Sequence, residues 1–228
     1  MGREPKDRRL VLVPASLACA MVSLAAFSWL AEEVFKGQMN GFDDSVRGFV
    51  HQYSSPQFTA AMQGITFLGS PFLLYSLFAV AIIVFLALKW WRAATWLAIG
   101  VVGSAILDVT LKLLFHRSRP EPFFSTMPKS YSFPSGHALS SFCFYGILAG
   151  LFDTRIRSRL VRLSVWAAAA LLVLAIGFSR IYLGVHYPTD VVAGYCAAAV
   201  WVSSLVYLDP MRQSHTFPKT SGEPRHTA

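Results

Sequence analysis

The chain has 228 residues, 54% of them apolar and only 14% charged, and its mean hydropathy is +0.48. Soluble domains carry about 25% charged residues, so this composition excludes an ordinary soluble globular protein and points to a polytopic membrane protein. The net charge of +8 lies in the connections between apolar runs and not along one stripe, which excludes a nucleic-acid surface and suits topology signals and anionic headgroups.

In chain order, the first nine residues are polar and basic, with Arg3, Lys6, Arg8 and Arg9. Residues 10–31 follow without a charge and are long enough to span about 30 Å of hydrocarbon. That run exceeds the core of a signal peptide, and no small-residue cleavage site precedes Glu32, so it reads as a first span that stays in the protein. Residues 32–55 are the most polar internal stretch. Phe42, Val46, Phe49, Val50 and Tyr53 recur there at helical spacing, so the stretch is either an amphipathic helix lying on the membrane surface or a partly ordered loop. The uncharged residues 57–70 lead into a second span at 71–88, which ends at the interfacial turn Lys89-Trp90-Trp91-Arg92.

A third span is predicted at 93–115, with Asp108 and Lys112 four apart on one face and able to neutralise each other. Pro120, Pro122 and Pro128 interrupt the charged stretch that follows. Residues 135–152 form a fourth span, 163–178 a short fifth extendable to 184, and 191–208 a sixth. Cys19, Cys143 and Cys196 lie inside apolar runs without metal-type spacing and read as small core residues.

The expected architecture is therefore all-α: residues 1–9 a cytoplasmic N-terminus, 10–208 a six-span domain with an extracytoplasmic amphipathic loop at 32–70, and 209–228 a disordered cytoplasmic tail. Six spans put both ends on one side, and Lys and Arg divide thirteen to seven in favour of that side, which places the termini in the cytoplasm.

This topology brings three separated clusters to the outer face: Lys112 with Arg119-Pro120, then Pro134-Ser135-Gly136-His137, then Ser179-Arg180, His186 and Asp190. Ionisable groups at the edge of a span are functional candidates because leaving them there is expensive. Arg119 and Arg180 can grip phosphate oxygens in pairs, and Lys112 adds a point charge. Ser135 at the start of a span either caps it or presents free N–H groups to an anion, while Gly136 permits close backbone approach. Two histidines suit a phosphoryl transfer with one nucleophile and one general acid, and Asp190 can orient its partner ring. The alternatives are a helix edge with a carboxylate in its first turn, or a zinc site at His137, His186 and Asp190, which three cations would oppose. Arg117 and Lys129 read as interfacial anchors, His51 and His116 as surface residues, and Tyr131, Tyr182 and Tyr187 as interfacial packing.

The pattern K-x6-R-P, P-S-G-H, S-R-x5-H-x3-D resembles the three-part signature of the type 2 phosphatidic acid phosphatase superfamily, matched at every position between residues 112 and 190. The first 70 residues carry no part of it. The resemblance implies an active site at the extracytoplasmic ends of the last four helices and a membrane lipid phosphatase that uses no metal or other cofactor. His186 would be the nucleophile, forming a phosphohistidine that water hydrolyses. Asp190 would orient it, and His137 would protonate the leaving group. Lys112, Arg119, Ser135, Gly136 and Arg180 would bind the phosphoryl oxygens. The expected partners are the membrane and a lipid phosphate: undecaprenyl diphosphate, phosphatidylglycerophosphate or phosphatidate. A lipid phosphotransferase would use the same residues, and a non-catalytic lipid-binding or transport protein is the remaining alternative. The apolar spans argue against a soluble vanadate-dependent haloperoxidase of the same superfamily.

Overall fold

Serine and proline set several of the helix starts. The structure, a computed structural model, describes residues 5–124 and 128–208, with side chains from Val13 onward. Among these are eight helices and no strand: α1 (Pro5–Phe35), α2 (Asn40–Gln52), α3 (Pro56–Leu68), α4 (Pro71–Ala87), α5 (Trp91–Phe115), α6 (Gly136–Asp153), α7 (Arg159–Tyr182) and α8 (Pro188–Leu208). Ser55 and Ser70 each accept a hydrogen bond from the backbone N–H three residues on and are followed by proline at the first helical position. Ser158 caps α7 through the N–H of Val161. At its other end α5 stops at His116, whose φ of 47° is left-handed, and Pro120 and Pro122 prevent the chain from resuming the helix.

The predicted tail at 209–228 lies outside the described residues. Helix α1 begins at Pro5, so it runs into the segment expected to precede the first span. The described stretches of α1, α5, α7 and α8 are each long and apolar enough to cross a membrane, and α3 with α4, bent by 42°, forms a fifth candidate. Helix α6, expected as the fourth span, is not among them. Its position explains the difference. It packs against α4, α5, α7 and α8, so its faces meet protein, and residues such as Ser140, Ser141 and Gly146 suit helix–helix contact better than lipid. Leu139 and Cys143 are sealed in one core cluster and Phe144 in a second. Val80, Ile83, Ile106, Leu171 and Leu174 are exposed on the outside of the bundle, as an integral membrane protein requires.

The stretch at 32–55 contains a helix, α2, the first of the two expected forms, and its aromatic face points out of the bundle. Its polar residues Asp43 and Arg47 are buried, while Phe42, Phe49 and Tyr53 are exposed. Packing against α7 and α8 takes the charged face inward, because partners for those charges wait there.

Candidate active site

Three chain segments meet at one end of the bundle: the end of α5 with the loop behind it, the start of α6, and the connection between α7 and α8. Each pair is tied directly. The N–H of Ser135 donates to the carbonyl of Asp190 at 2.9 Å, joining the second sequence cluster to the third. Arg119 reaches His186 at 3.0 Å, joining the first to the third. The first meets the second at Gly136, where an added Cβ would lie 2.8 Å from both Lys112 Nζ and Asp108 Oδ1. Gly194 plays the same part on α8, since a Cβ there would stand 2.7 Å from the carbonyl oxygen of Ser135.

His186 stands in the short connection after α7 and is 1% exposed. Its Nδ1 lies 3.2 Å from Asp190 Oδ2, four residues on in the first turn of α8, where Pro188 starts the helix. Arg119 Nη1 donates to Nε2, and because a guanidinium only donates, Nε2 carries the lone pair and Nδ1 the proton. Burial drives the imidazole down to about 3; hydrogen bonding to Asp190 opposes this, and the nearby Arg119 and Arg180 add to it. The ring is therefore neutral across the ordinary pH range, with its free nitrogen facing a cation.

Asp190 is fully buried and saturated with donors. Oδ2 accepts from His186 Nδ1, from the Tyr187 N–H at 3.0 Å and from the Ser132 hydroxyl in a short bond. Oδ1 accepts from Arg117 Nη1 at 2.7 Å. Arg117 was expected to be an interfacial anchor; instead its side chain is only 10% exposed and stacks 4.1 Å over the Tyr187 ring. Burial pulls its guanidinium downward, but Asp190 and Asp43 outweigh that and raise it, so its charge is secure. Burial lowers Arg119, with Asp190 and Asp108 opposing.

The remaining predicted residues gather around this pair. His137, the second residue of α6, is within electrostatic range of Arg180, His186, Lys112 and Arg119. Arg180 is 9% exposed, donates to Thr66 Oγ1 at 2.6 Å, and keeps a buried Nε without a partner. Ser135 occupies the N-cap position of α6, yet its side chain makes no cap bond and its buried hydroxyl has no partner. Lys112 pairs with Asp108 at 2.8 Å, as their spacing allows. All eight predicted site residues thus lie in one locality, which combines a neutral imidazole, a second histidine, three cationic side chains and an unpartnered hydroxyl at a helix start. Such a site can bind a phosphoryl group and attack it.

Several side chains read differently in three dimensions. His51 is not a free surface residue: it stacks on Phe123 at 4.1 Å and its Nδ1 is buried. Tyr182 is wholly buried, bonded to Thr59 Oγ1 at 2.8 Å and stacked on Phe124. Tyr187 packs under two guanidinium groups, those of Arg117 and Arg47. His116 is exposed, in keeping with its reading, and so is Lys129. Ser132, Thr66, Thr189 and Asp43 were missed. The available signal for Asp43 was its place four residues before Arg47, opposite the phenylalanines of α2.

A family model described as the PAP2 superfamily matches residues 93–214. Phosphatidylglycerophosphatase B of Bacillus subtilis is 30% identical over 173 residues, which cover 74% of this chain and 84% of that protein. An undecaprenyl-diphosphatase of Sulfolobus acidocaldarius is 30% identical over 115 residues, 48% of this chain and 51% of that one. The crystal structure of a transmembrane PAP2-type phosphatidylglycerolphosphate phosphatase from Bacillus subtilis superposes with a TM-score of 0.75 at 25% identity, covering 82% of this chain and 93% of that chain.

Proposed function

The chain belongs to the PAP2 superfamily, and from that premise we propose that it is a membrane lipid phosphatase working through a phosphohistidine on His186. One observation carries the reading: Asp190 accepts the Nδ1–H hydrogen bond of His186 while Arg119 faces the Nε2 lone pair, so the attacking atom and a phosphate-binding cation share one point. Nε2 attacks phosphorus as the bond to the lipid oxygen breaks, and His137 gives that oxygen a proton. Water then attacks phosphorus as the P–N bond breaks and returns its electron pair to Nε2, His137 takes the water's proton, and phosphate leaves. Lys112, Arg119, Arg180, the Ser135 hydroxyl and the backbone at Gly136 hold the phosphoryl oxygens as charge accumulates on them.

The site belongs at the extracytoplasmic ends of the last four helices, with α6 completing six spans, both termini in the cytoplasm, and the whole in a bacterial-type inner or plasma membrane. The Lys and Arg asymmetry supports this orientation. The unit responsible is 10–208, with 1–9 and 209–228 as terminal segments and 32–70 contributing the outer cap. Phosphatidylglycerophosphate leads the substrates considered, ahead of undecaprenyl diphosphate and phosphatidate, because the relative matched over the greater length is named for it. No metal takes part.

The test is phosphate release from these three lipids in detergent, with and without EDTA. His186→Ala should abolish release from all of them, and EDTA should leave the parent rate unchanged. Full activity in the variant would overturn the mechanism, and inhibition by EDTA would restore the zinc alternative.

A further inference from the structure

The N-terminal segment lies outside the residues matched by the family model, yet it places a carboxylate in the heart of the site. Asp43, on α2, is 0% exposed. Its Oδ2 accepts from Arg117 Nη2 at 2.8 Å and from Thr189 Oγ1 at 2.7 Å, and its Oδ1 accepts from the Thr189 N–H at 3.1 Å. The Thr189 contacts alone would make Asp43 an anchor for the start of α8. The contact with Arg117 does more. Arg117 Nη1 reaches Asp190 Oδ1 while Nη2 reaches Asp43, so a single planar fork is stretched between two buried carboxylates. The oxygen of Asp190 that it holds is the one His186 does not use, so Arg117 fixes the rotation of the carboxylate against which the imidazole is aligned. Thr189 Oγ1, 2.8 Å from Arg117 Nη1, and the Tyr187 ring close the remaining freedom of the guanidinium.

We propose that Asp43 is a positioning residue of the phosphoryl-transfer site, holding Arg117 so that Arg117 holds Asp190 against His186. The inference rests on the reading of His186 as nucleophile. It makes α2 part of the catalytic assembly through buried ionic contacts, which explains why that helix turns its charged face inward and leaves Phe42 and Phe49 outside. Without Asp43 the fork has one carboxylate left and swings toward it, and the Asp190 plane turns with it.

The experiment uses the full chain in detergent, with phosphatidylglycerophosphate, undecaprenyl diphosphate and phosphatidate each supplied in micelles. Asp43→Asn replaces an acceptor by an amide among three donors, and should lower kcat about 10–100-fold with KM within about twofold of the parent. Because Asp43 acts through Arg117, the double variant Asp43→Asn/Arg117→Lys should be no slower than Arg117→Lys alone. Asp44→Asn, at an exposed neighbouring position, should leave the rate unchanged. Should Asp43→Asn not fold, Thr189→Ala keeps both carboxylates and removes one tether of the fork, and a kcat loss of about 3–10-fold at constant KM is expected. Parent-like kcat in Asp43→Asn or in Thr189→Ala, a loss confined to KM, or losses that multiply in the double variant would each overturn the proposal. His186→Ala that still releases phosphate, or a parent that releases none from any of the three lipids, overturns the nucleophile reading and the proposal with it. An inactive His186→Ala beside an unimpaired Asp43→Asn overturns the positioning role alone.

Discussion

Asp190→Asn separates the orientation of His186 from the rest of the machinery. In the wild-type site Asp190 Oδ2 receives three donors: His186 Nδ1–H at 3.2 Å, the Tyr187 N–H at 3.0 Å and the Ser132 hydroxyl. Its Oδ1 receives Arg117 at 2.7 Å. An amide fills the same volume but has only one acceptor oxygen. The charged Arg117 claims that oxygen, which turns the NH2 group toward His186 and Tyr187. Nδ1 then loses its acceptor and the ring gains by becoming an acceptor there itself, which moves the proton to Nε2 and removes the lone pair from the attacking atom. In serine hydrolases the equivalent change costs about 10⁴ in kcat, or roughly 5 kcal/mol of transition-state stabilisation. We expect a loss of about 10³–10⁴ here, because both partners are equally buried. Stability should suffer less than the 3–5 kcal/mol typical of a broken buried pair, since Arg117 keeps Asp43 at 2.8 Å. The assay is single-turnover phosphate release from purified protein, with a thermal unfolding scan on the same sample. A variant within tenfold of parental kcat would refute the tautomer reasoning.

Two further predictions follow from the same site. The folded-state value of His186 lies near 3 against 6.5 for a free imidazole, so between those values the unfolded chain binds a proton that the folded chain refuses. Stability from this group is complete above about pH 6.5 and declines as pH falls toward 3; the detergent-phase unfolding midpoint should drop over that range in the parent and drop less in His186→Ala. A steeper drop in the variant would contradict the sign. Gly136→Ala places a methyl group 2.8 Å from Lys112 Nζ and Asp108 Oδ1, which must move aside, displacing the ammonium from the phosphate side of the site. A loss of roughly tenfold in kcat/KM is expected, while the helix start itself tolerates alanine; unchanged kcat/KM would show that Lys112 is not held by that contact.

Much of this molecule is written in local patterns. Uncharged runs marked the positions of α1, α4, α5, α6, α7 and α8 to within a few residues at most boundaries, because a helix in lipid must be apolar along its length. Alternating helix direction then brought Lys112, Arg119, Ser135, His137, Arg180, His186 and Asp190 to one end, since each lies near the end of an expected span. The spacing of His186 and Asp190 across Pro188 allowed their contact, beside the alternative of a plain carboxylate in the first turn of a helix. Such features depend on covalent neighbours and on the solvent, and both can be read from residue order.

The tertiary structure decided what depends on partners distant in sequence. Arg117 and Lys129 are indistinguishable as cations in one connection, and only packing puts one between Asp43 and Asp190 and leaves the other exposed. The protein partners that receive the charged face of α2 were equally hidden from residue order. Periodicity identifies two faces, but the apolar one faces inward only when the interior is apolar. Here Arg117 and the start of α8 offer charges and N–H groups that a buried carboxylate can satisfy, and lipid outside can accept the phenylalanines. A hydrophobic pattern in a membrane protein has two apolar destinations, and the choice between them belongs to the fold.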